Sequence, residues 1–298
     1  MLDQIERKLT PRPAGVLIAG PTASGKSRLA IDLAERIGGV VINADSMQVY
    51  GELRVLSARP TEGDLAAVPH RLYGHVPAAE RYSVGRWVTD VRGVLSEAQS
   101  SGAVPIFVGG TGLYFRALTE GLASVPPIPA EVRARVEAMA EGPPTGMLHA
   151  ELVARDPETA ATLRESDRAR IARALEVFEA TGRPLTAWQR GEHAAPLVGA
   201  DALELVIAPD RAWLHQRISD RADAMLRDGA LDEARRMLAL GLGEDLPAMK
   251  AIGVRQFRDH FHGDLSLEEA LAGIKTETRR YAKRQETWFR NQMPGWRR

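Results

Sequence analysis

The chain has 298 residues, 44% hydrophobic and 26% charged, which suits one large soluble domain or a core with a smaller lobe. The absence of cysteine excludes disulfides, thiolate metal sites and a cysteine nucleophile. No apolar run approaches the length of a membrane span, and residues 1–12 lack the apolar core of a signal peptide. We therefore expect a cytoplasmic protein without a membrane partner.

The charges balance overall, with 39 basic and 39 acidic residues, which argues weakly against nucleic-acid binding. Their distribution matters more than their sum. The segment 274–298 contains eight Lys or Arg residues and only two Glu residues. This basic C-terminal segment is either a solvated helix end or a surface for phosphates.

The predicted elements of the first half alternate between strands and helices. An apolar run at 16–19 enters a glycine-rich turn, and a helical pattern over 27–37 leads to a second apolar strand at 40–42. A helix over 82–99 and a strand over 104–108 follow, and the glycine-rich residues 109–112 break that strand before the segment 113–118. Continuous apolar strands between helices are typical of a parallel sheet covered on both faces, which predicts the α/β class.

The pattern changes after the proline-rich stretch 125–129, which we interpret as a hinge. Residues 130–181 are almost entirely helical in pattern, with breaks at 142–144 and 156–157, and a strand returns at 203–207. We therefore predict a core formed by 1–124 and 199–298, with C-terminal helices, and a helical insertion domain at 125–198.

The glycine-rich turn matches the phosphate-binding pattern G-x-x-x-x-G-K-[ST], with a strand before it and a helix after it. Its residues are Gly20, Pro21, Thr22, Ala23, Ser24, Gly25, Lys26 and Ser27. Backbone N–H groups and the helix N-terminus favour an anion, Lys26 adds a charge, and the Ser27 hydroxyl suits Mg²⁺. The motif predicts binding of a nucleotide or another diphosphate-bearing small molecule.

Two further polar residues follow predicted strands. Asp45 lies where a carboxylate holds Mg²⁺ or accepts a proton, and Thr111 lies where a hydroxyl donates to phosphate or substrate. Either residue alternatively stabilises a turn. No strand ending in a second acidic motif of the ATPase type follows, which departs from the usual arrangement for phosphoryl transfer. The diphosphate is then a possible leaving group, with carbon rather than phosphorus attacked.

Five segments together resemble the bacterial tRNA dimethylallyltransferases in order and spacing, over about residues 15–292. They are the glycine-rich loop, Asp-Ser-Met-Gln-Val-Tyr from Asp45, Gly-Gly-Thr-Gly-Leu-Tyr from Gly109, Ser-Asp-Arg-Ala-Arg-Ile-Ala-Arg-Ala-Leu-Glu-Val-Phe from Ser166, and Ala-Lys-Arg-Gln-Glu-Thr-Trp-Phe from Ala282. The resemblance implies a P-loop NTPase-like core that transfers a dimethylallyl group from dimethylallyl diphosphate to N6 of the adenosine 3′ of the tRNA anticodon.

The resemblance also implies roles for individual residues. Catalysis falls to Asp45, as general base, and to Thr22, Lys26 and Arg221. The eight loop residues and Arg217 hold the diphosphate, with Mg²⁺ at Ser27. The tRNA anticodon stem-loop contacts residues of both predicted domains, and we expect a monomer. These residues are Asp45, Ser46, Met47, Gln48, Thr111, Arg133, Ala169, Arg170, Ile171, Ala172, Arg173, Gly253, Val254 and Arg255.

The chain departs from the family pattern at two places. Residues 56–60 read Leu-Ser-Ala-Arg-Pro where the family usually has Gly-Thr-Ala-Lys-Pro. Residues 72–74 read Leu-Tyr-Gly where the family usually has an apolar pair followed by Asp. The first change keeps a hydroxyl and a cation, whereas the second removes a carboxylate.

Three alternatives remain at this stage. A P-loop small-molecule kinase uses the same loop and a strand-end Asp, and an adenylate isopentenyltransferase uses the same prenyl donor. A non-catalytic RNA-binding protein with a vestigial nucleotide loop is the third. The kinase gives no reason for the segment that begins at Gly109 or for the basic C-terminal segment.

Overall fold

A five-stranded parallel sheet forms the centre of the protein, and the predicted α/β class is confirmed. The computed structural model describes residues 13–141, 145–191, 195–197 and 202–298. The strand order is β3-β2-β4-β1-β5. The strands are β1 (Gly15–Ala19), β2 (Gly39–Asn43), β3 (His70–Arg71), β4 (Val104–Gly109) and β5 (Ala202–Val206).

The sequence predicted the central strands because each is apolar along its whole length. All residues of β1, β2 and β4 are buried, as expected for strands covered on both faces. The edge strand β5 is only partly buried and begins one residue earlier than predicted. The two-residue strand β3 was not predicted, because its His and Arg pair with Val41 and Ile42 without any apolar run of their own.

The described residues form thirteen α-helices. The first four are α1 (Lys26–Ile37), α2 (Glu62–Ala67), α3 (Val84–Ser101) and α4 (Gly112–Thr119). The next five are α5 (Ala130–Glu141), α6 (Thr145–Arg155), α7 (Pro157–Ala160), α8 (Arg168–Thr181) and α9 (Leu185–Gln189). The last four are α10 (Arg211–Arg227), α11 (Ala230–Ala239), α12 (Val254–His262) and α13 (Leu267–Gln292).

The chain divides into two compact units. One consists of the described residues of Met1–Thr119 and Pro196–Arg298, and the other is Glu120–Ala195. The bounds of the predicted insertion, 125–198, differ by a few residues from those of the second unit. The predicted hinge 125–129 has no regular secondary structure. The predicted break at 142–144 lies outside the described residues. At 156–157, the Asp156 carboxylate accepts a hydrogen bond from Thr159 N (3.0 Å) and caps α7.

The helical unit has its own hydrophobic core. Val136, Leu152, Ile171 and Leu175 are fully buried and belong to one cluster contributed by α5, α6 and α8. Each helix buries residues three or four positions apart, which is the pattern of an amphipathic helix. This explains why the sequence predicted these helices well.

A buried tryptophan fixes the end of β2 in the sheet unit. The Trp87 indole N–H donates to the Asn43 carbonyl (2.9 Å), and its ring stacks on Tyr114 with centroids 4.2 Å apart. The strand end that leads into Asp45 is therefore held by α3 and α4 from one side. Among the described residues, no helix combines the length and apolarity needed to cross a membrane.

Candidate active site

The glycine-rich loop lies between β1 and α1, as its sequence predicted. Ala23 and Gly25 adopt positive φ angles of 65° and 87°, and Ser24 N donates to Pro21 O (3.2 Å). Alternating backbone conformations of this kind turn successive N–H groups toward one concave side, where the N-terminus of α1 adds positive potential. The loop has the geometry of an anion-binding site.

Lys26 and Ser24 are two polar residues of this loop, one a cation and the other a neutral hydroxyl. The Lys26 ammonium donates to Pro21 O (3.1 Å), and burial lowers its pKa to about 8, with Asp45 opposing the shift and Arg221 adding to it. The Ser24 hydroxyl is buried and has no hydrogen-bond partner among the described residues. A ligand with anionic oxygens would satisfy both groups.

Asp45 begins the loop after β2, and its backbone is fixed by a buried amide. Asp45 N donates to Asn43 Oδ1 (2.8 Å), and Asn43 Nδ2 donates to Asp45 O (2.9 Å). Met47 N donates to Asp45 Oδ1 (2.9 Å), and no described residue hydrogen-bonds Oδ2. The carboxylate is thus oriented through one oxygen and keeps the other for a ligand.

Thr111 connects the ends of β2 and β4. Its N–H donates to Ala44 O (3.2 Å), its hydroxyl accepts from Ser46 N (2.9 Å), and the same hydroxyl donates to Ser46 Oγ (3.3 Å). The structure therefore brings Asp45, Ser46 and Thr111 together at one edge of the sheet. This is the edge where ligands bind in parallel α/β sheets.

Gln285 on α13 braces the glycine-rich loop, a role that sequence reasoning did not assign. Its Oε1 accepts from Thr22 N (2.9 Å), and its Nε2 donates to Gly110 O (2.9 Å). A Cβ at Gly110 would collide with this amide, so glycine is required there by close approach. One signal was available: Gln285 is a buried polar residue in the otherwise largely apolar helical stripe of α13.

Tyr281, one turn before Gln285, is a second residue that sequence reasoning missed. Burial raises the pKa of its hydroxyl, and the Asp45 charge raises it further. Thr111 and Gln285 act on the same hydroxyl as hydrogen-bond partners and oppose the shift. The phenol therefore stays neutral at physiological pH and lies among the groups that surround Asp45.

The two predicted arginines of α10 have different environments. Arg221 is half-buried; burial lowers its pKa, the Asp45 charge opposes the shift, and Arg217 adds to it. Arg217 is exposed, with its guanidinium carbon 5.1 Å from the centroid of the Trp213 ring. Arg221 lines the cleft described next, whereas Arg217 does not.

A cleft joins these polar groups to an apolar wall. Its polar lining comes from the glycine-rich loop, from the loops that follow β2, from the middle of α10 and from α13. These residues are Thr22, Asp45, Ser57, Arg221, Thr278 and Tyr281. Its apolar lining is Met47, Leu56, Ile218, Ala222, Met225, Ala251, Ile252 and Ile274. The cleft is therefore suited to a ligand with one anionic end and one hydrocarbon end.

Gln48 and Glu233 hold a loop at this cleft. The Gln48 amide donates to Ser57 O (2.9 Å) and Ala58 O (2.8 Å). The buried Glu233 carboxylate of α11 accepts from three successive amides of the same loop, Arg54 N (3.0 Å), Val55 N (2.8 Å) and Leu56 N (2.9 Å). We call residues 54–60 the arginine loop. Glu233 belongs to no recognisable motif, and its hydrogen-bond partners are distant from it in the sequence.

The predicted tRNA-contacting residues at the start of α12 are unequal in exposure. Arg255 is exposed and Val254 is buried. Gly253 N donates to Gln256 Oε1 (2.9 Å), and a Cβ at Gly253 would approach Leu56 Cδ2 to 2.6 Å. Only Arg255 of this segment offers an exposed side chain.

The remaining predicted tRNA-contacting residues lie in the helical unit. Arg133 is half-buried on α5, and Arg170 and Arg173 are exposed on α8, in ion pairs with Asp167 (3.4 Å) and Glu176 (3.0 Å). Ala169 is exposed and Ala172 half-buried. Ile171 is fully buried, so its side chain supports the helix and offers no surface to RNA.

The donor groups at the loop fit Mg²⁺ only with help from a ligand. Ser27 is exposed at the start of α1, and among the described residues no three His, Asp or Glu side chains cluster as a metal site. Mg²⁺ is commonly held by one or two protein oxygens together with substrate phosphates and water. The residues present therefore suit a metal that arrives with a diphosphate.

These features define a class: a P-loop α/β protein whose phosphate loop opens into a partly apolar cleft. The sequence profile described as IPP transferase matches residues 48–292, and that described as isopentenyl transferase matches residues 14–75. The chain belongs to the IPP transferase family.

Named relatives agree with this assignment. The tRNA dimethylallyltransferase of Azorhizobium caulinodans is 54% identical over 96% of this chain and 91% of its own. That of Methylobacterium radiotolerans is 56% identical over 95% of this chain and 91% of its own.

Solved structures share the fold. The Bacillus halodurans tRNA isopentenylpyrophosphate transferase is 34% identical, with a TM-score of 0.65, covering 93% of this chain and 86% of its own. A eukaryotic dimethylallyltransferase, described as acting on tRNA, is 28% identical with a TM-score of 0.79, covering 92% and 69%.

Proposed function

We propose that this protein transfers the dimethylallyl group of dimethylallyl diphosphate to N6 of the adenosine 3′-adjacent to the tRNA anticodon, releasing diphosphate. One observation carries the proposal: the cleft joins Thr22 of the phosphate loop, Asp45 and Arg221 to a wall of eight apolar side chains. Lys26 of the same loop interacts electrostatically with both Asp45 and Arg221. A nucleoside triphosphate has no hydrocarbon end for such a wall, whereas an allylic diphosphate does.

The diphosphate is the leaving group in this proposal. The loop amides, the Ser24 hydroxyl, Lys26 and Arg221 bind its oxygens, where negative charge grows as the bond from C1 to oxygen breaks. Fixed donors aimed at developing charge stabilise the transition state more than the ground state. Mg²⁺ held by Ser27 and the diphosphate oxygens would supply further charge neutralisation when bound.

Asp45 is the proposed general base. Exocyclic N6 of adenine attacks C1, forms the new carbon–nitrogen bond and then loses a proton. The free oxygen of Asp45 lies in the same cleft as Thr22 and Arg221, and Met47 N holds the other oxygen. Thr111 and Ser46 fix the adjacent strand ends, which keeps the carboxylate oriented.

The acceptor is a tRNA whose target base leaves the anticodon-loop stack, at a cost that is small for a loop nucleotide. Cationic side chains are available on both units. On the sheet unit, Arg279, Arg280, Lys283 and Arg290 lie with Arg211 around a groove between α10 and α13. On the helical unit, the start of α8 carries Arg170 and Arg173. These cations suit backbone phosphates. A monomer suffices, because the cleft lies within the sheet unit.

The decisive assay uses labelled dimethylallyl diphosphate with unmodified tRNA, AMP or ATP as acceptor. Label in tRNA alone is the expected result. Transfer to AMP would support an adenylate isopentenyltransferase, and transfer of the γ-phosphoryl group of ATP to a small-molecule acceptor, with release of ADP, would support a kinase. Binding of tRNA without any transfer would leave an RNA-binding protein and would overturn the proposal.

A further inference from the structure

The two departures from the family pattern meet in space. Gly74 has a positive φ of 59°, and a Cβ at this position would collide with Nη1 of Arg59. The Arg59 guanidinium thus occupies the space that a side chain at position 74 would require. In this structure the Arg59 side chain and a side chain at position 74 exclude one another.

The Arg59 guanidinium forms no ion pair with any carboxylate among the residues that the structure describes. Arg59 is half-buried, and within the described part of the chain its side chain makes no hydrogen bond or ion pair. Burial lowers the pKa of Arg59, the charges of Glu233 and Glu52 oppose this shift, and the neighbouring Arg54 adds to it. Partial burial of an unpaired cation is unfavourable, so an anionic ligand at this position would be bound with a gain in free energy.

The backbone around Arg59 is rigidly held. Glu233 anchors the amides of residues 54–56, and Gln48 binds the carbonyls of residues 57 and 58. Gly74 N donates in turn to Gln48 O (2.9 Å). The backbone that carries Arg59 is therefore held before any ligand arrives, which lowers the entropic cost of binding.

The position of Arg59 favours one source of anion over another. Leu56 and Ser57 line the cleft, together with Thr22 and Arg221. Arg59 belongs to the same loop as Leu56 and Ser57 but does not line the cleft. A diphosphate in the glycine-rich loop already has Lys26 and Arg221 as cationic partners in the proposed function. Arginine binds phosphate through a planar fork of donors, which suits a nucleic-acid backbone.

We propose that Arg59 binds a backbone phosphate of the tRNA next to the nucleotide being modified, an inference that rests on the proposed function. Gly74 is its permissive partner, because the absence of a side chain there leaves room for the guanidinium.

The test compares Arg59→Ala with Arg54→Ala, its matched control. Arg54 lies in the same loop but pairs with Glu62 (2.9 Å). Arg59→Ala is expected to raise KM for tRNA about tenfold. It should also lower the salt dependence of tRNA binding by about one charge, with KM for dimethylallyl diphosphate unchanged. Arg59→Lys should keep the salt dependence. Arg54→Ala should change both quantities much less.

A second variant tests the same idea without removing the arginine. Asparagine tolerates positive φ better than most residues, so Gly74→Asn should displace the guanidinium and raise KM for tRNA as Arg59→Ala does. Combined with Arg59→Ala it should add little, which a double-mutant cycle measures. Melting temperatures show whether each variant is folded, and either variant alone decides the matter if the other unfolds.

An unchanged KM for tRNA, an increase confined to the prenyl donor, or an equal effect of Arg54→Ala would each overturn this role. Failure of the wild-type protein to prenylate tRNA would instead overturn the proposed function.

Discussion

The glycine-rich loop and the apolar wall of the cleft differ in how the chain builds them. The loop is eight consecutive residues, six between β1 and α1 and two in the first turn of α1. The wall is assembled from the loops after β2, from α10, from the segment before α12 and from α13. Local backbone geometry creates the anion site, whereas only the finished tertiary structure creates the hydrocarbon site. The variants below separate these two contributions.

The largest effect is expected at the chemical step, which both regions serve. Asp45→Asn keeps the shape and the acceptor for Met47 N but removes the base, so kcat should fall by about 10²–10⁴-fold. Affinity for tRNA, measured by filter binding, should remain within a few-fold of wild type. A variant that kept near-normal kcat would remove Asp45 from the role of general base.

The next effect concerns the wall and its supporting loop. Glu233→Gln leaves one carbonyl oxygen for three backbone donors, so we expect a loss of about 2–4 kcal/mol in the free energy of unfolding. Glu269→Gln is the control, because that carboxylate accepts from Ser266 N (2.8 Å) at an exposed helix start. The control should lose much less, because its carboxylate is exposed to water and accepts fewer backbone hydrogen bonds. Equal losses in urea titration would show that Glu233 is an ordinary cap.

The anion site has its own pH signature. Lys26 is cationic below its pKa of about 8 and neutral above it, so the free protein loses a charge for the diphosphate as pH rises. We expect kcat/KM for dimethylallyl diphosphate to fall about tenfold per pH unit above this value. Lys26→Arg keeps its charge, so its profile should stay flat between pH 8 and 10. A wild-type profile that is equally flat would contradict the assignment.

The smallest effect is a change in donor preference. Met225→Ala shortens one side chain of the apolar wall, which enlarges the space in the cleft and leaves the glycine-rich loop intact. Longer allylic diphosphates should therefore become better substrates. We expect the ratio of kcat/KM for geranyl to dimethylallyl diphosphate to rise about tenfold. Leu240→Ala is a control for an exposed apolar residue elsewhere. No change in this ratio would show that Met225 does not limit the length of the donor.

The distinction between features built from consecutive residues and features assembled by the tertiary structure also decides what could be predicted from the sequence. The glycine-rich loop, the central strands and the ends of β2 and β4 were readable because their signals lie within a few consecutive residues. The roles of Gln285, Glu233 and Tyr281 were not readable, because each depends on partners more than 160 residues away. Strand β3 escaped prediction because backbone pairing alone defines it.

The assigned roles in tRNA binding and catalysis stay predictions for individual residues. The structure places Asp45, Thr22 and Arg221 around one cleft, and the charges of Asp45 and Arg221 act on Lys26. It buries the side chains of Ile171 and Val254. Residue burial depends on how a helix packs, which a motif does not reveal.

The Gln285 brace also bears on the order of events during synthesis. Thr22 N and Gln285 Oε1 are 263 positions apart in the chain, so a ribosome must deliver nearly the whole sheet unit before the pair can meet. A nascent chain that already contains β1 and α1 still lacks the contact that steadies its phosphate loop. The phosphate loop therefore reaches its final, braced conformation late in translation, well after the first strands have been synthesised.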